Sequence, residues 1–266
     1  MFLLSLFLVL GVALLSAGRV PPPDQRIVCG FEEDIVSSPW QVYLHINSSS
    51  CGGVLYKDNI VLTAAHCMEG SKAADVSVYY GSSKWQLGQV TNVSEVIVHE
   101  DYNRTKNNGS FANDIAVLVL SSPIPLTTSA KTIDLASETP RAGSWALTTG
   151  WGQIVDSING SYPETLKGTY VLIEDHESCR KAYDKKWACM QSNTTTVTNE
   201  MVCVHGKNQG PCRGDSGGPL VSVPDKQLIG ITSWTVHCGH PFFPDVFTDV
   251  VVLKDWILST VSRFNH

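Results

Sequence analysis

Short runs rich in valine, isoleucine, threonine and tyrosine recur along most of this chain. The clearest of them are QVYLHI, GGVLY, NIVLTAA, DVSVYY, EVIVH, DIAVLVL, GTYVLI, PLVSV and QLIGITSW. β-Branched and aromatic residues favour strands, and turn-forming segments such as Lys57-Asp58-Asn59 and Pro224-Asp225-Lys226 separate several of the runs. The pattern predicts an antiparallel all-β protein, either a barrel or a sandwich.

Only the C-terminus repeats its apolar residues with a helical period. The spacing i, i+3, i+4, i+7, i+8, i+11 is met there by Leu253, Trp256, Ile257, Thr260, Val261 and Phe264. This face predicts an amphipathic α-helix over about 250–264 that packs on the β body. The polar stretch from Asp184 to Asn199 is predicted to be a long loop.

The charge balance excludes two classes of partner. The 266 residues include 19 Lys and Arg against 25 Asp and Glu, for a net charge of −6, and the basic residues form no run. A mildly acidic chain without a basic patch offers little to phosphate groups, so we expect no nucleic-acid or membrane-surface partner. The length allows one large all-β domain or two small ones.

The N-terminus has the features of a secretory signal. Residues 2–15 are apolar except for Ser5 and Gly11, and the small residues Ser16, Ala17 and Gly18 follow. We predict a signal peptide over 1–18, with an N-terminal membrane anchor as the alternative. The proline-rich segment 19–26, RVPPPDQR, is predicted to be an exposed linker.

Secretion would place the chain where cysteines oxidise and asparagines are glycosylated. Six sequons of the form Asn-x-Ser/Thr agree with that route. They begin at Asn47, Asn92, Asn103, Asn108, Asn159 and Asn193.

Three local motifs stand in a fixed order along the chain. They are Leu62-Thr63-Ala64-Ala65-His66-Cys67, Asn113-Asp114-Ile115-Ala116 and Gly214-Asp215-Ser216-Gly217-Gly218-Pro219. Together they resemble the His, Asp and Ser motifs of the chymotrypsin and trypsin family of serine endopeptidases. The resemblance covers residues 27–266. It implies two six-stranded antiparallel β-barrels, about 27–130 and 131–250, followed by the C-terminal helix.

The chemistry of peptide hydrolysis needs these residue types. A serine hydroxyl is a poor nucleophile at neutral pH, so it requires a base such as an imidazole. The resemblance assigns Ser216 as nucleophile, His66 as base and Asp114 as the carboxylate that orients it. It assigns the oxyanion hole to the backbone N–H groups of Gly214 and Ser216. A secreted homologue that binds without catalysing is the alternative.

The segment Arg26-Ile27-Val28 resembles the family's activation site. The resemblance implies that 19–26 is an activation propeptide, removed by a trypsin-like protease that cleaves after Arg26, and that the new Ile27 amine forms an ion pair with Asp215. That pair would hold the oxyanion loop in place. Cys29 stands where the family has glycine.

Three disulfides follow from positions that match the family. They are Cys51–Cys67, Cys179–Cys203 and Cys212–Cys238. Cys29 and Cys189 are left over, and an even count in an oxidising compartment suggests that they pair.

The residues matching the family's specificity pocket are mixed. Gly210 lies at the pocket base, where trypsin has Asp, while Asp245 replaces a glycine on the adjacent strand. This resembles brachyurin-type peptidases and implies a basic or broad preference at P1, the residue before the cleaved bond. Thr235 and His237 replace glycines at the mouth, which suggests instead an elastase-like preference for small side chains. Arg213 would either contact acidic residues of the substrate or neutralise Asp245.

The remaining expectations concern partners and cofactors. Residues 233–235, which are Ser233, Trp234 and Thr235, should offer a backbone edge to an extended polypeptide substrate. The stretch Gly81 to Gln89, which matches a calcium loop of some relatives, has no acidic residue. We therefore expect no metal or cofactor, and a monomer that meets substrates, an activating protease and protein inhibitors.

Overall fold

The computed structural model describes residues 30–105, 109–157, 159–189 and 197–264, without the side chains of 185–189. The predicted signal peptide and propeptide, and with them Arg26, Ile27 and Cys29, lie outside these ranges. Among the described residues, no helix combines the length and apolar character needed to cross a bilayer.

The first half of the chain folds into a closed six-stranded antiparallel barrel. Its strands pair in the order β2-β3-β4-β7-β6-β5, and β5 returns to β2. They are β2 (Gln41–Ile46), β3 (Ser49–Lys57), β4 (Ile60–Thr63), β5 (Val76–Tyr80), β6 (Gln89–Val98) and β7 (Ala116–Leu120). The β-branched and leucine side chains of these strands fill the barrel, as in β4 and β7, where every residue is buried.

The second half forms another closed barrel with the strand order β8-β9-β10-β13-β12-β11, in which β8 also pairs with β9. Its strands are β8 (Trp145–Gly150), β9 (Lys167–Ile173), β10 (Met201–His205), β11 (Pro219–Ser222), β12 (Leu228–Trp234) and β13 (Asp245–Asp249). The short β1 (Phe31–Glu32) adds to the outside of β9. The predicted double-barrel architecture is confirmed.

The C-terminal helix α2 (Lys254–Ser262) leaves the second barrel and packs back on the first. Ile257 and Val261 are buried in the core of the first barrel, and the Trp256 ring lies 4.6 Å from that of His99. This is the helix predicted from the apolar period, which places residues three and four apart on one face.

A second helix, α1 (His176–Cys189), contradicts the prediction of helical structure at the C-terminus alone, and it covers the start of the predicted loop 184–199. Its apolar face is narrow. The Asp175 carboxylate instead accepts the Ser178 N–H at 2.8 Å, and Glu177 pairs with Arg180 at 2.9 Å. End capping and surface ion pairs thus support a helix that the apolar pattern does not show. Three short 3₁₀ helices complete the fold, at Ala65–Met68, Ala73–Asp75 and Trp85–Leu87.

Buried hydrogen bonds join the two barrels where they face each other. The Thr149 hydroxyl donates to Gln41 Oε1 at 2.7 Å, and the Gly52 N–H donates to the Ser216 carbonyl at 2.7 Å. Because a buried polar group is costly without a partner, these bonds fix the relative position of the barrels. The residues of the three sequence motifs lie along this junction.

Candidate active site

His66 and Asp114 are in direct contact. His66 lies on the 3₁₀ helix that follows β4, and Asp114 lies in the loop before β7, the strand that pairs with β4. The Asp114 carboxylate accepts the His66 backbone N–H at 2.8 Å and lies 2.7 Å from the ring atom Nδ1. The ring bond holds the proton on Nδ1 and leaves the Nε2 lone pair available as a base.

The second barrel completes the shell around Asp114. The Asp114 carboxylate also accepts a hydrogen bond from the Ser233 hydroxyl at 2.6 Å, and the Asp114 backbone carbonyl accepts one from the Thr248 hydroxyl at 2.8 Å. The side chain is fully buried. Asn113 precedes it with φ of 56°, a left-handed conformation that asparagine tolerates. Three donors and burial therefore hold this carboxylate in one orientation.

Three charged groups act on the imidazole of His66. Burial opposes its positive charge and is the largest single effect, while Arg104 opposes it weakly. The charge of Asp114, its hydrogen bond and the charge of Glu69 outweigh these effects and raise the pKa of His66 above its ordinary value. A rate that depends on neutral His66 will therefore fall as the pH drops through this raised pKa.

Ser216 lies in a glycine-rich turn held tightly against the first barrel. Gly214 and Gly217 have φ of 98° and 81°, a left-handed conformation that residues with a Cβ rarely adopt. A Cβ on Gly217 would also overlap the Thr63 hydroxyl oxygen, so that position needs glycine for space as well. Together the glycines allow Ser216 to be presented at the barrel junction.

Ser216 and His66 lie on either side of the Cys51–Cys67 disulfide. The Cys67 sulfur is 3.9 Å from His66 Nε2 and 3.7 Å from the Ser216 carbonyl oxygen. Among the hydrogen bonds of the described residues, none joins the Ser216 hydroxyl to the imidazole. Such bonds are often long in free enzymes and shorten when substrate binds.

Two backbone N–H groups beside Ser216 are free to donate. Within the described ranges, neither the Gly214 N–H nor the Ser216 N–H bonds to a backbone or side-chain acceptor, whereas the Asp215 N–H between them bonds to the Cys212 carbonyl at 2.9 Å. Two unused N–H donors beside the Ser216 hydroxyl are suited to stabilise an oxyanion that forms when such a hydroxyl attacks a carbonyl.

Asp215 points away from this turn into the protein. Its carboxylate accepts the N–H groups of Gly152 at 2.7 Å and Cys212 at 2.9 Å, and only 2% of the residue is exposed. Burial raises its pKa to about 6, although both hydrogen bonds lower it. In the described part of the chain, no cationic side chain pairs with it. Its predicted partner Ile27 lies outside that part.

A cavity of about 280 Å³ opens next to Ser216. Segments 211–213 and 232–238 form its walls, and Asp156 closes one side. Of the predicted pocket residues, four line this cavity, namely Arg213, Ser233, Trp234 and Thr235. The sequence did not point to Asp156, whose carboxylate lies 3.2 Å from His237 Nδ1.

Gly210 and Asp245, the two residues predicted at the base of the specificity pocket, lie buried next to each other behind the residues that line this cavity. A Cβ on Gly210 would overlap the Asp245 carboxyl, so glycine makes room for this acid. Asp245 is 2% exposed, and its Oδ1 has no hydrogen-bond partner among the described residues. Burial raises its pKa to about 8, which the Thr235 hydroxyl opposes and the charge of Asp215 assists.

Two residues at the mouth differ in their contacts. Thr235 donates its hydroxyl to the His237 carbonyl at 2.9 Å and also acts on the Asp245 carboxyl, whose pKa it lowers. Arg213 is exposed, and none of the ion pairs among the described residues joins it to Asp245. Within the described ranges, no basic side chain therefore pairs with the Asp245 carboxyl.

Two aromatic residues that sequence reasoning missed, Phe111 and Tyr183, contact His66 or Trp234. Phe111 meets the His66 ring edge-on at 5.7 Å, and its ring is nearly parallel to that of Trp234 at 6.4 Å. Beneath Trp234 lies the fully buried Tyr183, 4.7 Å away. The position of Phe111, three residues before Asp114, was the signal available in the sequence.

The three implied disulfides, Cys51–Cys67, Cys179–Cys203 and Cys212–Cys238, are present. Cys29 lies outside the described residues, and Cys189 ends α1 where side chains are not described. Two clusters among the described residues have metal-ligand spacing, but both contain these disulfide sulfurs, which lack a thiolate to bind a metal.

The amino-acid sequence matches known proteins along nearly its whole length. It is 37% identical to trypsin alpha of Drosophila melanogaster over 247 residues, which cover 92% of this chain and 91% of that protein. It is 37% identical to kallikrein 1-related peptidase b27 of Mus musculus over 273 residues, or 97% and 98% of the two chains. Hypodermin-B of Hypoderma lineatum is 36% identical over 255 residues, which cover 95% of this chain and 94% of that protein.

Solved structures agree. Neuropsin, a serine protease expressed in the limbic system of mouse brain, aligns with a TM-score of 0.76 at 34% identity, over 87% of this chain and 98% of that one. An inactivated scabies mite protease paralogue aligns at 0.77 and 27% identity, over 88% and 96%. The family model described as Trypsin matches residues 27–257. This chain therefore belongs to the trypsin family of serine endopeptidases.

Proposed function

We propose that this endopeptidase is secreted as a zymogen, is cleaved after Arg26, and hydrolyses internal peptide bonds of polypeptides through an acyl-enzyme. His66, Asp114 and Ser216 carry the reaction. The observation that supports this most directly is the buried Asp114 carboxylate, 2.7 Å from His66 Nδ1, together with the unused N–H groups of Gly214 and Ser216 in the described turn.

The reaction follows from this geometry. Neutral His66 takes the Ser216 proton on Nε2 as the hydroxyl attacks the substrate carbonyl, and the imidazolium then protonates the departing amine. The developing oxyanion is stabilised by the N–H groups of Gly214 and Ser216. Water then attacks the acyl-enzyme with His66 again acting as the base, which frees the acid product and Ser216.

Activation is proposed to work through Asp215. An ammonium group brought to this buried carboxylate, which has no cationic partner in the described part of the chain, would stabilise its charged form. The Asp215 carboxylate accepts hydrogen bonds from the backbone N–H groups of Gly152 and Cys212, which place it at the base of the turn that carries Gly214. The Ile27 amine can therefore act on the oxyanion hole without touching substrate. The segment 19–26 has no cysteine and would leave once cleaved.

The P1 preference is proposed to be Lys or Arg with broad tolerance. The observation in favour is the buried Asp245 carboxyl, whose Oδ1 has no hydrogen-bond partner among the described residues, because a buried acid gains by pairing with a cation. A preference for small neutral residues is the second candidate, supported by the raised pKa of Asp245 and by Thr235 and His237 at the mouth. Arg213, exposed beside the cleft, would meet acidic residues of the substrate.

Secretion is consistent with the sequons. Asn47, Asn92 and Asn159 are exposed, so a glycan attached there would not disturb the core. We propose that the mature protein is a monomer, and that its partners are polypeptide substrates, a trypsin-like activator and protein inhibitors.

Labelling with an active-site phosphonate after cleavage at Arg26 tests the mechanism. The cleaved protein should label at Ser216, and Ser216→Ala should lower turnover of a peptide substrate by about a millionfold with folding retained. A catalytically silent homologue would not label. That distinction is necessary because an inactivated relative shares the fold.

A further inference from the structure

Four side chains from two loops form a cluster at the edge of His66, and the proposed function gives it no role. We call it the Glu69 cluster; its members are Glu69, Tyr102, Arg104 and Phe111. Glu69 directly follows the 3₁₀ helix that carries His66, and its backbone N–H bonds to the His66 carbonyl at 3.4 Å. Any movement of this residue is therefore transmitted to the helix.

The Glu69 carboxylate contacts the opposite loop twice. One oxygen accepts the Tyr102 hydroxyl at 2.7 Å, and the other lies 3.8 Å from Arg104 Nη1. The Arg104 carbonyl accepts the Gly109 N–H at 2.7 Å, which anchors the backbone beneath the guanidinium. One carboxylate thus connects the His66 helix to the loop that leads to Asp114.

Arg104 carries this connection to the substrate cleft. Its guanidinium carbon lies 4.3 Å from the centre of the Phe111 ring, a cation–π contact. The same ring meets the His66 imidazole edge-on at 5.7 Å. The contacts form a closed loop from Glu69 through Arg104 and Phe111 to His66 and back along the 3₁₀ helix.

The cluster also places two opposite charges near the imidazole. Besides Asp114, the charged groups that act on His66 are Glu69, which favours the imidazolium, and Arg104, which opposes it. Both side chains are nearly half exposed, so water and salt weaken their effects.

We propose that Glu69 is a positioning residue of this endopeptidase: it holds Phe111 against His66 through Arg104 and Tyr102, and it balances the Arg104 charge beside the imidazole. The proposal rests on the proposed function, since it concerns the same histidine acting as base. Removing either charge leaves the other unopposed, so the two removals must act on His66 in opposite directions.

The experiment measures kcat/KM from pH 5 to 9 for the Arg26-cleaved protein, with active sites counted by phosphonate titration. Glu69→Gln keeps an acceptor for Tyr102 but removes the charge, so the midpoint of the acid limb should move to lower pH. Arg104→Gln should move it to higher pH. Both shifts should shrink in 1 M NaCl. Each variant should also lose roughly three- to tenfold in kcat/KM as Phe111 loosens.

Matched variants separate charge from position. Tyr102→Phe should lower kcat/KM without moving the midpoint, and Arg104→Lys should keep the midpoint while weakening the contact with Phe111. The exposed residues Glu95 and Arg141 provide controls, since Glu95→Gln and Arg141→Gln make the same charge changes elsewhere.

The outcomes are distinct. Shifts of Glu69→Gln and Arg104→Gln in the same direction, or no larger than those of the controls, would overturn the inference. If Glu69→Gln does not fold, Arg104→Gln and Arg104→Lys still decide the matter, because only the first should move the midpoint. Wild-type protein that neither labels nor hydrolyses peptide would refute the proposed function instead.

Discussion

The buried Asp245 predicts that preference for a basic P1 residue depends on pH. With a pKa of about 8, the carboxyl is charged in about one molecule in ten at pH 7 and in about nine in ten at pH 9. Pairing with a substrate cation needs the charged form, and kcat/KM reports the free enzyme. The advantage of a basic substrate should therefore rise about tenfold between these pH values.

The assay compares two peptides that differ only in arginine or its neutral isostere citrulline at P1. Their ratio of kcat/KM cancels the titration of His66, which affects both equally. The ratio should climb through neutral pH and level off above about pH 9. Asp245→Asn should flatten the curve and lower its plateau roughly 10²- to 10³-fold, since it removes one partner of a buried ion pair. Asp156→Asn, at the mouth of the same cavity, should leave the rise in place.

Two results would refute this reasoning in different ways. A ratio that is small and flat in wild-type protein, and unchanged by Asp245→Asn, would mean that Asp245 does not contact P1 and that the preference for basic residues is wrong. A ratio that is large and flat down to pH 6 would mean that the carboxyl has a partner that keeps it charged.

Two further predictions concern activation and stability. Asp215→Asn should lower the kcat of the Arg26-cleaved protein roughly 10²- to 10³-fold. The substitution removes the negative charge that pairs with the Ile27 amine, and it turns an amide NH₂ toward one of the two backbone N–H donors. Activity equal to wild type after cleavage would contradict the activation scheme. Ile257→Ala should destabilise the fold by about 2 to 5 kcal/mol and lower the Tm by roughly 5 to 15 °C. Leu258→Ala, 45% exposed on the same helix, should change the Tm little, and equal effects of the two would contradict the packing of α2.

The sequence predicted those parts of the fold that depend on local pattern. Runs of β-branched residues gave most of the strands, and the repeat that includes Trp256 and Ile257 gave α2. Helix α1 was not predicted, because it is supported by the Asp175 cap at its start and by ion pairs of Glu177, and neither feature produces an apolar period. Closure into two barrels was predicted only from the family resemblance, because pairing between strands that are distant in sequence produces no local sequence pattern.

The same limit applies to the site. His66, Asp114 and Ser216 sit in motifs of fixed order, so they could be named in advance. Glu69 and Arg104 could not, because their importance arises from contacts made across two loops 35 residues apart in sequence. Asp156 was missed for the same reason, since it meets His237 only after folding.

The return of the C-terminal helix to the first barrel has a consequence for biosynthesis. The apolar face of the first barrel that receives Ile257 and Val261 stays uncovered until α2 has been synthesised and has docked. Until then the two barrels lack this apolar contact, and a chain that ended before α2 would expose the surface to the quality-control machinery of the cell.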